Sequence, residues 1–336
     1  GENIVFPFIQ PPPQPPATRT ISPLNCDRLR AKQIASQAQF RLKIIPRDQH
    51  CISRKNISDG ALKVMSRLRG SGHQAYLVGG AVRDLLLGGH PKDFDIATDA
   101  TPETVHALFR NSRIIGRRFR IVHVRFGREI IEVTTFRGHH DNDSEPTSES
   151  GGNHSRQSAS GLLLRDNVYG TLEEDAVRRD LTVNALYYDA GNFEVFDHVH
   201  GLKDLERRSI SIIGEPAVRF TEDPVRMLRV LRFAAKLQFS IDPHTARAIP
   251  ACAHLLAEIP AARLFDEFLK LFLAGYAAAT LEQLLKHDLL RYLFPDSNEQ
   301  MHRHPTALAL VRAAMVSTDQ RIAQDKPVTP AFILAA

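Results

Sequence analysis

Asp93-Phe94-Asp95 is the segment of this chain best suited to chemistry. Along a strand alternate side chains share a face, so the two carboxylates point the same way while Phe94 packs behind. Two negative charges that close are unfavourable unless a cation lies between them. A hard divalent ion, bound partly by carboxylates and partly by substrate phosphates, meets that need, and magnesium is the common choice. Upstream stand Gly79 and Gly80 at a strand-to-helix junction. Lacking Cβ atoms, they let backbone N–H groups approach a phosphate beside the start of the next helix, where Arg83 adds positive charge. Taken alone, the Asp-Phe-Asp pattern reads sooner as a solvated turn with two unrelated aspartates; the glycine pair at this spacing reverses that preference.

Three further groups join it. Glu132 lies in a strand between apolar Ile131 and Val133, which suits a metal ligand, a substrate contact or a paired surface acid; Arg137 follows, placed to neutralise it or touch a phosphate. Glu173 to Asn184 (EEDAVRRDLTVN) reads as a helix with Asp180 and Asn184 one turn apart, able with Arg178 or Arg179 to hold a ribose and a triphosphate, or else as a charged surface. Glu222-Asp223-Pro224 opens another helix, capped by Asp223, with Arg226 and Arg229 following. A carboxylate beside a guanidinium, as Asp223 and Arg226 would be, complements an amino group next to an unprotonated ring nitrogen. Adenine and cytosine present that edge; guanine and uracil do not. A cap with an intrahelical ion pair is the plainer alternative.

The elements that must position these groups follow from periodicity. Ser58 caps a helix carrying Ala61, Leu62, Val64, Met65 and Leu68 on its apolar face. Strands are expected at Ala75 to Val78 and Phe94 to Ala97, helices at Ala81 to Leu87 and from Thr101-Pro102 to Arg110. Phe119 to Phe126 and Glu129 to Phe136 alternate about Gly127-Arg128 as a hairpin, and helix Glu173 to Leu186 precedes a strand pair around Tyr187 to Phe196. The last third is apolar-periodic helix without evident chemistry. The expected organisation is a disordered proline-rich arm at 1–47, a head at 48–190 with a mobile polar loop at 139–160, a neck at 191–260 and a helical body at 261–336. His139 and His140 border that loop without a third ligand and are read as loop residues.

Composition is that of an ordinary globular protein: 43 Lys+Arg against 38 Asp+Glu, net charge +5, 43% hydrophobic and 24% charged residues over 336 positions. Cys26, Cys51 and Cys252 are too few and too scattered for a disulfide framework or zinc site. No apolar run reaches a membrane span, so a cytoplasmic protein without a membrane partner is expected. Seven arginines and no acid occupy Arg110 to Arg128, an anion-binding stripe for nucleotide or nucleic acid.

In order, LVGGAVRDLLLG, PKDFDIATDATPE, IIEVTTFRG, EEDAVRRDLTVNAL and TEDPVRMLRVLRFAAKL closely resemble the bacterial poly(A) polymerase and class II tRNA nucleotidyltransferase family, from about Ile44 to at least Phe294. The resemblance implies an α+β fold: a nucleotidyltransferase head with a small mixed β-sheet and flanking helices, then all-helical neck and body domains. It implies Asp93 and Asp95 as catalytic metal ligands, Asp180 as a further active-site acid, and Gly79, Gly80, Arg83, Arg137, Arg178, Asn184, Glu222, Asp223, Arg226 and Arg229 as the nucleotide site. Glu132 as a third metal ligand comes from the residues alone. GRRFRIVHVRFG looks like the poly(A) polymerase signature, with Arg117, Arg118 and Arg120 tracking an RNA backbone. The expected activity is addition of AMP from ATP to RNA 3′ ends, with two Mg2+ ions assisting in-line attack and release of pyrophosphate. CCA addition to tRNA and a non-catalytic RNA-binding module are the alternatives. Such polymerases usually continue into a basic C-terminal region absent here, so the chain is expected to be truncated at its C-terminus.

Overall fold

The computed structural model describes residues 40–116, 120–138 and 169–335. The expected loop at 139–160, with His139 and His140, and the expected contacts of Arg117 and Arg118 lie outside the described residues, as does all but the end of the expected arm.

Strand β1 (Lys43–Ile45) comes first, followed by helix α1 (Asp59–Gly70), whose N-terminus is closed by the Ser58 hydroxyl accepting from the Ala61 N–H at 3.1 Å. Its Ala61, Val64, Met65 and Leu68 are buried, as their spacing requires. Next come β2 (Ala75–Val78), α2 (Gly80–Leu86), β3 (Asp95–Thr98), α3 (Pro102–Leu108, capped by Thr101), β4 (Ser112–Ile115), β5 (Ile121–Phe126) and β6 (Glu129–Thr135). The β5–β6 turn is the expected Gly127-Arg128, with Gly127 at φ +60°. Helix α4 (Leu172–Arg178) then leads to β7 (Leu186–Asp189), β8 (Glu194–Asp197) and α5 (Gly201–Arg207).

These strands form one eight-stranded sheet in the order β1-β8-β7-β2-β3-β6-β5-β4. Every neighbouring pair is antiparallel except β3 with β6. Both faces of its centre are covered. Leu77, Ile96, Ile131 and Val133 pack with α1 into the main core, while Val78, Ala97, Phe136 and Tyr187 join Ala176 of α4 on the other side. Alternation then puts Asp95 on the α4 side, since Ile96 and Ala97 face opposite ways. A short parallel pair, β9 (Ser209–Ile210) with β10 (Ser240–Ile241), brackets α6 (Pro216–Glu222) and α7 (Val225–Leu237). The remainder is helical: α8 (Pro243–Cys252), α9 (Ala261–Phe272), α10 (Ala277–Lys286), α11 (Leu290–Leu293), α12 (Pro295–Arg303), α13 (Pro305–Ala323) and α14 (Pro330–Ala335). Among the described residues no helix is long and apolar enough to cross a membrane.

Four expectations are corrected. Residues 43–45 are not part of a disordered arm: they pair with β8 and bury Ile45. The head does not end at 190, because that boundary would split the β7–β8 hairpin and remove two strands from its sheet. The strand bearing the aspartates starts at Asp95, so Asp93 lies just before it. The helix expected from Glu173 to Leu186 stops at Arg178. Beyond it the backbone pairs sideways, Thr182 N–H to the Ser211 carbonyl and Ile213 N–H to the Asp180 carbonyl, which buries Leu181 and Val183. Paired backbone groups at 180–182 are no longer available to a helix.

Ile96, fully buried beside Asp95, tests this core. Ile96→Ala is expected to lower unfolding free energy by about 2–4 kcal/mol in urea titration, the usual cost of deleting a buried branched side chain.

Candidate active site

Register decides the carboxylate end of the site. Asp95 stands opposite Val78 of β2 on one side and Glu132 of β6 on the other. Asp95 is mostly buried, and its pKa rises from the ordinary 3.8 to about 6 through burial first, then repulsion from Glu132 and Asp93, with Arg179 opposing. Asp93 is exposed yet close enough to contribute. Glu132 lies 3.3 Å from His123 Nε2, and among the described residues no three His, Cys, Asp or Glu side chains gather as a self-sufficient metal site. Across the register Glu132 raises the Asp95 pKa through its charge. An under-compensated pair, Asp93 and Asp95, fits a hard divalent cation that takes its other oxygens from a nucleotide.

Gly79 has φ +74°, which favours glycine, and turns the chain from β2 into α2. Its N–H donates to the Leu186 carbonyl at 3.3 Å, which fixes the turn against β7. A Cβ added at Gly79 would sit 3.8 Å from Arg179 Nη1 and 4.0 Å from Asp95 Oδ2. Arg179 and Asp95 thus flank one turn. Arg83, expected to face phosphate, is instead 1% exposed: it donates to Asn184 Oδ1 at 2.5 Å and Asp84 Oδ1 at 2.8 Å and lies over the Phe233 ring. It ties α2 to α7 and to the turn before β7.

Asp180 and Asn184 do not share a helix face, because the helix has ended. Asn184 receives Arg83, while Asp180 pairs through Oδ2 with Arg229 Nε of α7. Burial opposes ionisation of Asp180, but Arg229 and Arg226 hold its carboxyl well below the usual range. Nor do Asp223 and Arg226 pair through their side chains. Arg226 donates to Glu222 Oε2 at 2.6 Å and the Arg219 carbonyl at 2.9 Å, while Asp223 takes Arg263 Nη2 of α9 at 2.7 Å. Asp223 Oδ1 does accept from the Val225 N–H at 3.3 Å at the start of α7, close to the expected cap. Arg120 pairs with Glu103 at the surface of the sheet.

Two residues escaped the sequence reading. Asp175, 1% exposed, accepts from Arg178 at 2.6 Å, Arg179 at 3.0 Å, the Tyr187 hydroxyl at 2.6 Å and the Arg137 N–H at 3.2 Å. Its signal lay in EEDAVRR, where Arg178 and Arg179 follow at helical spacings of three and four. Arg219, 3% exposed, donates to the carbonyls of Arg178 and Arg179 at 2.6 Å each and to Glu222 at 2.9 Å; burial and Arg226 bring its pKa down to about 10. A lone arginine forty residues from those carbonyls leaves no pattern to read.

Comparison with known proteins bears on this arrangement. Residues 75–211 match the model of the poly A polymerase head domain, and residues 238–301 that of a probable RNA and SrmB-binding site of polymerase A. The chain is 51% identical to poly(A) polymerase I of Salmonella typhimurium, covering 91% of this chain and 66% of that protein. It is 45% identical to poly(A) polymerase I of Haemophilus influenzae, covering 92% of this chain and 68% of that protein. The chain therefore spans about two thirds of the length of these relatives. Among solved structures, the Bacillus stearothermophilus CCA-adding enzyme in complex with CTP matches with TM-score 0.60 and 36% identity, covering 72% of this chain and 55% of that one.

Asp95 holds its proton to about pH 6 in the folded state against 3.8 ordinarily, so the folded chain binds more protons between those values and loses stability as pH rises through them. Asp95→Asn removes the charge responsible. At about pH 8 the variant is expected to unfold at higher denaturant, by on the order of 1 kcal/mol, with the gain fading below about pH 4.

Proposed function

The chain belongs to the class II nucleotidyltransferase family of bacterial poly(A) polymerases and CCA-adding enzymes, and we propose that it is a template-independent polynucleotide adenylyltransferase of the cytoplasm. It adds AMP from ATP to RNA 3′ ends and releases pyrophosphate. The observation that carries this reading is the placement of Asp95, half-enclosed between Glu132 and the Gly79 turn, with Asp93 and Arg179 beside it. Preference for polyadenylation over CCA addition rests on the 51% and 45% identities to poly(A) polymerase I over more than nine tenths of the chain, against 40% over 69% for the CCA-adding enzyme of Bacillus pumilus. In this reading the head runs to about residue 211, α6 and α7 form the neck, and the helices from α9 onward make an RNA-binding body.

Each group then has a task. Asp93 and Asp95 would hold magnesium, expected as two ions, and the bound metal would supply acidification of the RNA 3′-hydroxyl and charge neutralisation at the triphosphate. Gly79 and Gly80 let the triphosphate approach the backbone, and Arg178 and Arg179 present positive charge to it. The RNA 3′-oxygen attacks the α-phosphorus in line as its proton passes to solvent, the α–β phosphoanhydride bond breaks, and pyrophosphate carries away the electron pair. No protein nucleophile takes part. Asp180 holds Arg229 against the neck. Asp223 accepts the amino hydrogen of the base and Arg226 donates to its ring nitrogen, exchanging their contacts to Arg263 and Glu222 for the base edge. That complementarity admits adenine and cytosine alike, so the size of the pocket must exclude cytosine.

Extension of a labelled generic RNA with each of the four NTPs, in magnesium and then EDTA, tests the reading. Long ladders with ATP alone, lost in EDTA, are expected; a few C and A additions confined to tRNA lacking its end would assign CCA addition, and RNA retention without extension a binding role. Asp93→Ala is expected to cut transfer at least about a hundredfold while leaving the circular dichroism spectrum unchanged. Arg226→Ala is expected to relax discrimination between ATP and the other nucleotides, read as the ratio of their kcat/KM values; an unchanged ratio would remove Arg226 from base recognition.

A further inference from the structure

We propose that Asp175 is a positioning residue for the triphosphate: its one buried carboxylate aims Arg178 and Arg179 and anchors the start of the segment after β6. The inference rests on the reading above, since it names what organises the cationic side of the same site.

Six donors converge on this carboxylate. Oδ1 accepts from Arg178 Nε at 3.1 Å, Arg178 Nη2 at 2.6 Å and the Arg137 N–H at 3.2 Å. Oδ2 accepts from Arg179 Nε at 3.2 Å, Arg179 Nη2 at 3.0 Å and the Tyr187 hydroxyl at 2.6 Å. Tyr187, itself fully buried in β7, also receives Arg179 Nε at 2.9 Å and lays its ring 5.3 Å from the guanidinium carbon. Both arginines therefore spend the same Nε/Nη2 edge on Asp175. For Arg179 the remaining atom, Nη1, is the one that reaches the Gly79 turn beside Asp95. A buried carboxylate is costly unless its acceptor sites are filled, and here two cations and two neutral donors fill them. The result is a rigid pair of guanidiniums carrying net positive charge, of which Arg179 stands at the Gly79 turn and Arg178 is fixed beside it through the shared carboxylate. Long arginine side chains lose much entropy when a ligand fixes them; pre-fixing by Asp175 removes that cost from nucleotide binding.

An amide cannot do the same work. In Asp175→Asn one oxygen still accepts from one arginine, but the NH2 group faces the donors of the other, which must swing away. A merely structural role would lower stability without separating phosphate from RNA. Equilibrium binding of ATP and of inorganic pyrophosphate to the full chain, in magnesium, reads the separation directly, together with KM for ATP and for RNA. Asp175→Asn is expected to weaken ATP and pyrophosphate by about tenfold while KM for RNA moves less than about twofold. In an Arg179→Lys background the same change is expected to add little, the mark of two residues acting through one another. Folded Asp175→Asn with unchanged ATP and pyrophosphate affinity would overturn the proposal. If that variant loses its circular dichroism signal, Tyr187→Phe, which removes only one donor from Oδ2, is expected to weaken pyrophosphate by about threefold, and no change would overturn it equally. Failure of the wild-type chain to extend RNA would count against the polymerase reading alone, because the binding measurement does not depend on transfer.

Discussion

Burial of a carboxylate beside two others is the constraint around which this site is built. A parallel register between β3 and β6 puts Asp95 beside Glu132, and Asp93 precedes it by two residues. Left in water these charges would cost little, but the sheet and the Gly79 turn enclose Asp95 and push its pKa to about 6. The fold tolerates this because the rest of the core is ample: α1 seals one face of the sheet with Ala61, Val64, Met65 and Leu68, and α4 covers part of the other. Charge crowding of this kind is relieved by any cation that binds between the carboxylates, so an arrangement that weakens the free protein favours a cation-bound one.

Around the carboxylates the chain assembles an alternating lattice of acids and arginines. Asp175 holds Arg178 and Arg179, Asp180 holds Arg229, Glu222 holds Arg219 and Arg226, and Asp223 holds Arg263. Around Asp175 and Arg219 such pairing follows from burial, since a guanidinium out of water needs its donors filled. Arg219 links the two halves, reaching from α6 to the carbonyls of Arg178 and Arg179 where α4 ends. The end of α4 and the α6–α7 pair therefore share one hydrogen-bonded seam, which fixes Glu222 and Arg226 relative to Arg178 and Arg179.

Much of the local structure was legible from the chain itself because its causes are local. Ser58 and Thr101 cap the helices expected of them, Gly127 makes the hairpin turn, and the apolar residues of Ala75 to Val78 mark β2. The errors arose where distant partners compete with a local pattern. EEDAVRRDLTVNAL has helical spacing throughout, yet residues 180–182 pair with 211–213 and end the helix, so Asp180 and Asn184 part company. Asp223 and Arg226 have the spacing of a helix-surface pair, yet Arg263 and Glu222 claim them. Lys43 to Ile45 carries too short an apolar pattern to announce a strand, and only the free edge of β8 makes it one.

Residue type and order by themselves determined that this chain holds a glycine turn, a carboxylate pair and arginine-bearing helices in the sequence of a nucleotidyltransferase, because short-range spacing is enough to define each motif. Tertiary structure alone decided which charges meet across long stretches of chain. Asp95 acquires Glu132 through strand register, Arg179 acquires Tyr187 through the packing of α4 on β7, and Arg219 acquires its carbonyls across forty residues. Ion pairing and pKa depend on separations of a few ångströms and on exclusion of water, and both are set only when the sheet and the neck close on one another.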